Sequence, residues 1–159
     1  MTKQNTLEKN NDFYFVYFLI LGLITLVFGI TDLIVAITGS EYSLGVLDIP
    51  NDGFRGGWGG LVIIFAGVFY LSGLKNLHEI HQLAKVMMGS ILLWIIAGTD
   101  IFAMVAESIP GGEDGGWFNT ARGFWEAYAP PYTPAVLLLP FSLVVISCIH
   151  EYYKKQEEE

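Results

Sequence analysis

Four stretches of this sequence are apolar over a length that crosses a lipid bilayer. They cover about residues 13–38, 57–74, 86–106 and 134–153. A helix needs about 20 apolar residues to span the hydrocarbon core. Because backbone groups in lipid must satisfy their own hydrogen bonds, each stretch is predicted to be a helix. We therefore expect an all-α integral membrane protein, a four-transmembrane-helix bundle with a single membrane domain over residues 1–159.

The composition agrees with this class and excludes others. Hydrophobic residues make up 53% of the chain and charged residues only 15%, which is too apolar for an ordinary soluble domain. The net charge of -8, without a basic stripe, excludes nucleic acid as a partner. The single cysteine, Cys148, excludes a membrane dithiol oxidoreductase. The first apolar stretch is too long for the core of a cleavable signal peptide, so we expect it to remain as the first span.

Basic residues predict the orientation. Arg55 and Arg122 fall on one side of the four spans, in loops of about residues 39–56 and 107–133. The other side has the loop of about residues 75–85 and both termini, and it collects Lys3, Lys9, Lys75, Lys85, Lys154 and Lys155. Loops rich in lysine and arginine stay in the cytoplasm. We therefore expect a multi-pass protein of the cell membrane with the N-terminus and C-terminus cytoplasmic, and the two longer loops facing outward.

Two short motifs recur in the same order. The dipeptide Thr-Asp occurs at residues 31–32 and again at 99–100, each time near the outer end of an apolar stretch. The pattern Arg-Gly-x-Trp occurs at residues 55–58 and again at 122–125. The similar order and offset predict an internal repeat of two tandem helical hairpins. With two spans per hairpin, this would be a parallel repeat about an axis near the membrane normal.

The two aspartates of this repeat are candidate functional residues. Asp32 and Asp100 are predicted to lie roughly 9 Å inside the outer ends of their helices. A carboxylate inside a span costs free energy, so it needs a partner, a cavity or a proton. Arg55 and Arg122 are the candidate partners, as Asp32 with Arg55 and Asp100 with Arg122 or as the crossed pairs. Alternatively, the aspartates line a polar cavity for a cation, a proton or a small ligand, or they cap kinks or contact a partner subunit.

The threonines of the repeat have a simpler interpretation. We expect the hydroxyl groups of Thr31 and Thr99 to bond to a backbone carbonyl one helical turn back, with ligand contact as the alternative.

Histidines near the cytoplasmic side allow a second kind of site. His78 and His81 share a face if their segment is helical, and His150 at the end of the fourth span could complete a metal or haem site. Solvated polar side chains are the alternative interpretation, and without further ligands we predict no cofactor.

Several residues predict details of helix packing. Pro140 should kink the fourth span. Trp94, in the middle of the third span, must pack against another helix or lipid. Small residues should allow close contacts between helices, namely Gly22, Gly29, Gly60, Gly67, Gly73 and Gly98.

The sequence favours a subunit or a binding and assembly module of a membrane complex. Its partners would be the lipid bilayer and either other membrane subunits or further copies of the chain. The alternative is a transporter or channel-like protein that moves a proton, a cation or a small solute by means of the paired aspartates. An enzyme is less favoured, because no nucleophile or metal cluster accompanies the two carboxylates.

Overall fold

Helices account for most of the residues that the computed structural model describes, which are 2–40, 42–77, 79–109, 125–126 and 128–157. The α-helices are α1 (Thr2–Thr38), α2 (Gly59–Gly73), α3 (Ile80–Ser108), α4 (Pro134–Ser142) and α5 (Val144–Glu157). Within these ranges, four helical segments are long and apolar enough to cross a membrane, namely Asp12–Thr38, Gly53–Gly73, Ile80–Ala106 and Pro134–Lys154. The prediction of four helices of membrane length is confirmed.

The second span begins earlier than predicted. A six-residue π-helix, Gly53–Trp58, precedes α2 without a break, and a 3₁₀ turn, Leu74–Asn76, follows it. The Asp52 carboxylate accepts hydrogen bonds from the backbone N–H groups of Phe54 (2.9 Å) and Arg55 (2.7 Å), and so caps the first turn. Arg55 therefore lies in the first turn of the span. Its assignment to the loop of residues 39–56 was wrong.

A small β-hairpin joins the first two spans. Strands β1 (Tyr42–Leu44) and β2 (Leu47–Ile49) pair antiparallel around a tight turn in which Gly45 has a φ of 61°. The backbone N–H of Asp48 also donates to the carbonyl of Tyr132 (2.9 Å), just before α4. The fold is mostly helical, as the all-α prediction requires, but the apolar pattern did not predict this short strand pair. We call this side of the helices, which includes Thr38 and Pro134, the hairpin end.

Glycines bring α1 and α2 into close backbone contact. A Cβ atom at Gly29 would lie 2.6 Å from the backbone nitrogen of Ile64, and one at Gly67 would lie 2.9 Å from that of Leu26. A Cβ atom at Gly60 would approach the backbone of Gly29 at 3.0 Å. Only glycine permits this separation, which confirms the predicted packing role of these residues.

Glycines also bring α2 and α3 close together, but Gly98 is not one of them. A Cβ atom at Gly73 would lie 2.6 Å from Val86 Cγ2, and one at Gly89 would lie 2.9 Å from the carbonyl oxygen of Ala66. A Cβ atom at Gly98, however, would have no neighbouring atom within 4 Å among the described residues. The prediction that Gly98 makes a close helix contact is therefore wrong.

The fourth span is broken between α4 and α5, three residues after Pro140. Proline lacks the N–H group that would continue the helical hydrogen bonds. Side chains of other helices bond to carbonyl groups near the break. Tyr17 donates to the carbonyl of Phe141 (2.8 Å), and Ser90 donates to that of Ser142 at 3.4 Å. The fourth span is thus interrupted at residue 143, and the kink at Pro140 stays a prediction.

A polar cluster surrounds this break. The indole N–H of Trp94 donates to Ser142 Oγ at 2.7 Å. The hydroxyl groups of Tyr70 and Ser90 share a hydrogen bond of 2.8 Å, and the ring of Tyr70 stacks on that of Phe18 at a centroid distance of 6.0 Å. The prediction that Trp94 packs against another helix is thus confirmed, and these contacts join α1, α2, α3 and α4 in the core.

Candidate functional site

Two buried carboxylates lie near the hairpin end. Asp32 on α1 is 1% exposed, and Asp100 on α3 is 5% exposed. The close packing of α1 on α2 helps to enclose Asp32, because a Cβ atom at Gly60 would lie only 2.9 Å from Asp32 Cβ. The Asp32 and Asp100 carboxylates are near enough for their charges to repel each other when both are ionised.

Asp100 has two hydrogen-bond partners from two other segments. The guanidinium Nε of Arg55 donates to Oδ1 at 3.3 Å, which is also an ion pair, and the hydroxyl of Thr133 donates to Oδ2 at 2.6 Å. Arg55 belongs to the π-helix and Thr133 is the N-cap residue of α4. Asp100 therefore connects the beginnings of the second and fourth spans to the third.

Thr133 is a site residue that the sequence reasoning missed. It precedes Pro134, which occupies the first turn of α4. A threonine directly before a proline that precedes an apolar stretch is a recognisable helix start. This signal would have placed Thr133 at the same end of the spans as Asp100, although it would not have predicted their contact.

The observed ion pair is the crossed one. Arg55 comes from the first unit of the proposed repeat and Asp100 from the second, so Arg55 bonds to the aspartate of the other unit. The alternative pairing of Arg55 with Asp32 is not present. Arg122 lies outside the described residues, and its pairing with either aspartate stays a prediction.

Asp32 lacks the partners that Asp100 has. Its Oδ1 atom is buried and accepts no hydrogen bond from any residue that the structure describes. Buried carboxylate oxygens are normally hydrogen-bonded, because leaving one without a partner costs free energy. In the described part of the chain, Arg55 is the one basic residue at the hairpin end. The others lie towards the opposite ends of the helices, namely Lys3, Lys9, Lys75, His81, Lys85, His150, Lys154 and Lys155.

A polar pocket lies next to the ion pair. It encloses about 340 Å³ and is formed by β1, β2 and the turn that leads into the π-helix. Its polar lining includes Ser43, Asp48, Asn51, Asp52 and Arg55. The Arg55 side chain is 40% exposed, so it contacts both the pocket and the buried Asp100.

No protein-family model, curated protein or solved structure matches this chain. The site can be characterised by its own charges. With both carboxylates ionised, Asp32, Asp100 and Arg55 carry one excess negative charge in a largely buried cluster. Such a cluster can bind one more positive charge, and the partially exposed Arg55 connects it to the polar pocket.

The two threonines of the repeat do not bond to the carboxylates. Thr31 Oγ1 donates to the carbonyl of Val27 at 2.8 Å, and Thr99 Oγ1 donates to that of Ile96 at 2.7 Å. Both bonds are local to their own helix, which confirms the prediction for the hydroxyl groups. Of the predicted site residues, the structure brings together Asp32, Asp100 and Arg55.

The histidines remain apart from this site. His81 lies in the first turn of α3 and His150 lies in α5, while His78 is outside the described residues. Within the described ranges there is no group of three or more His, Cys, Asp or Glu residues that could hold a metal ion. A metal or haem site at these histidines stays an untested alternative.

Proposed function

We propose that the protein is a subunit of a membrane complex and binds an apolar transmembrane helix of another subunit. An open groove between α1 and α4 carries this proposal. It has a volume of about 570 Å³ and an almost entirely apolar lining. Its walls are formed by Tyr17, Ile20, Leu21, Ile24, Phe28, Leu137, Leu138 and Phe141.

The dimensions of the groove suit a helix. On α1 it runs from Tyr17 to Phe28, which is roughly 16 Å at the rise of an α-helix. Large apolar side chains remain available along it, since Ile20 is 52% exposed and Phe141 is 56% exposed. Helices in lipid associate by packing side chains into such depressions. A partner helix would fill the space that α4 leaves open beside α1.

The proposed setting is the cell membrane, with all four spans inserted and both termini in the cytoplasm. The length and apolar character of the helices support insertion. The lysines near both termini and between the second and third spans support the orientation. The tandem arrangement of two hairpins is part of the same proposal, and the recurring Thr-Asp and Arg-Gly-x-Trp patterns support it.

Native mass spectrometry after mild solubilisation tests the groove. We expect a partner of stoichiometric amount to copurify with the wild-type chain and with Val68→Trp, because Val68 is an exposed residue of α2 outside the groove. Ile24→Trp should strongly reduce the amount of partner that copurifies, because the indole side chain would fill the groove. Equal recovery with both variants, or a second copy of the chain as the bound species, would contradict the proposal.

A second candidate function is the movement of a proton, a cation or a small solute. The observation that favours it is the buried Oδ1 atom of Asp32 without a hydrogen-bond partner in the described chain. If the protein transports, Asp32→Asn or Asp100→Asn should abolish flux in reconstituted vesicles while the helical content is retained. Unchanged flux with both variants would rule this function out.

A further inference from the structure

Among the residues that the structure describes, the charges around Asp32 are unbalanced. The elements that pack on α1 contribute few ionisable groups near this residue. Neither α2 nor α4 has a charged residue, the π-helix has Arg55, and β2 has Asp48. The 3₁₀ turn has Lys75, but at the opposite end of the span, and α3 contributes Asp100.

Arg55 already neutralises Asp100. Its Nε atom donates to Asp100 Oδ1, and the other oxygen of that carboxylate accepts the Thr133 hydroxyl. Within the described ranges, Asp32 therefore has the excess negative charge, in a position where only 1% of the residue is exposed. A positive charge that binds an unpaired buried carboxylate offsets part of the free energy required to bury it.

The surroundings also provide access. The first turn of the second span is π-helical, a conformation that occurs mostly as single turns and is frequent at functional sites. Arg55, in this turn, is 40% exposed and lines the polar pocket while it bonds to Asp100. The buried cluster is thus in contact with a polar space at the hairpin end.

We infer that Asp32 binds one exchangeable monovalent cation, either a proton or a sodium ion, next to the Arg55–Asp100 ion pair. A proton forms an O–H bond at the carboxylate, and a sodium ion is held as an ion by its oxygens. In both cases one positive charge is added and the cluster becomes neutral. This inference rests on the second candidate function and names the substrate class of its site.

Binding can be measured on the full chain in detergent. In the sodium arm, thermal unfolding is followed while sodium chloride replaces choline chloride at constant ionic strength. In the proton arm, infrared spectroscopy detects the C=O band of a protonated carboxyl group. The variants are Asp32→Asn and the matched control Asp12→Asn, which removes an exposed carboxylate from the beginning of the first span.

The two arms distinguish the sources of the charge. A sodium site predicts that the unfolding midpoint of the wild type and of Asp12→Asn rises with sodium concentration, and that Asp32→Asn abolishes this rise. A proton site predicts a protonated-carboxyl band in the wild type and in Asp12→Asn that is lost in Asp32→Asn. If the wild type shows neither response, or if Asp32→Asn keeps whichever response the wild type has, the inference is overturned.

The inference can still be tested if Asp32→Asn does not fold, because the wild-type measurements alone can overturn it. In that event Asp32→Glu, which keeps the carboxylate, should retain the response of the wild type, and loss of the response would count against the site. These readouts require no flux. If the protein binds the cation but transports none, the transport function is ruled out and the binding site is retained.

Discussion

The guanidinium group of Arg55, at the beginning of the second span, bonds to the carboxylate of Asp100 in the third span at 3.3 Å. This contact links the two helical hairpins of the predicted repeat. Asp32 lies on α1, the helix that precedes Arg55 in the chain, and its Oδ1 atom accepts no hydrogen bond from the described residues. The two aspartates occupy similar positions in the sequence pattern but have different surroundings.

A double-mutant cycle tests this ion pair. Arg55→Gln and Asp100→Asn should each lower the free energy of unfolding in detergent, and the double variant should lose less than the sum. Because Arg55 is 40% exposed and partly screened by solvent, the coupling free energy should be about 1 kcal/mol. The control pair, Arg55→Gln with Asp12→Asn, combines residues at opposite ends of the spans and should be additive. Additivity in the first cycle would exclude direct pairing.

Thr133 should matter through its hydroxyl group. Thr133→Val keeps the shape of the side chain but removes the donor to Asp100 Oδ2, so it should lower the free energy of unfolding by about 1–3 kcal/mol. Thr133→Ser keeps the donor and should be closer to the wild type. Denaturant unfolding in mixed micelles, followed by circular dichroism, measures both. Equal stability of Thr133→Val and the wild type would show that the hydrogen bond contributes nothing.

The close contact of α1 and α2 predicts different effects of alanine at two glycines. Gly29→Ala places a methyl group 2.6 Å from the backbone nitrogen of Ile64, which cannot rotate away. The variant should lose about 1–3 kcal/mol of unfolding free energy through overpacking. Gly98→Ala is the matched control, because its new Cβ meets no atom within 4 Å and alanine favours a helix by about 1 kcal/mol. A Gly98→Ala variant that is less stable than Gly29→Ala would contradict the described packing.

Labelling with a membrane-impermeant maleimide tests the orientation. The single native cysteine simplifies this experiment, because Cys148→Ser gives a background without thiols. In that background, Ser43→Cys in β1 should react in intact cells, and Lys75→Cys in the 3₁₀ turn should react only after permeabilisation. The opposite pattern would place the hairpin end in the cytoplasm, and reaction at both positions in intact cells would argue against the proposed insertion.

The sequence was sufficient to predict features that depend on local patterns. The four helices follow from apolar length, and the close helix contacts at Gly29, Gly60 and Gly67 follow from the small residues within these helices. Gly98 shows the limit of such reasoning. A glycine in an apolar helix allows a close contact, but whether a neighbour is there depends on how the helices are arranged.

The features that were missed depend on contacts between distant segments. The strands β1 and β2 are three residues each, and part of their hydrogen bonding comes from Tyr132, far along the chain. The crossed pairing of Arg55 with Asp100 likewise depends on which spans are neighbours in space. The early start of the second span depends on the Asp52 cap, which stands before glycines that are typical of a loop.

The break in the fourth span separates α4 from α5, so that the contacts that hold α4 in place do not extend to α5. Before the break, α4 is fixed at its N-cap residue by the bond between Thr133 and Asp100, and its last carbonyl groups accept hydrogen bonds from Tyr17 and Ser90. Beyond it, α5 begins a new helix at Val144. A tilt of α5, for example on binding of another protein to the C-terminal segment, would therefore be absorbed at residue 143. Such a tilt would leave the hydrogen bond between Thr133 and Asp100 in place.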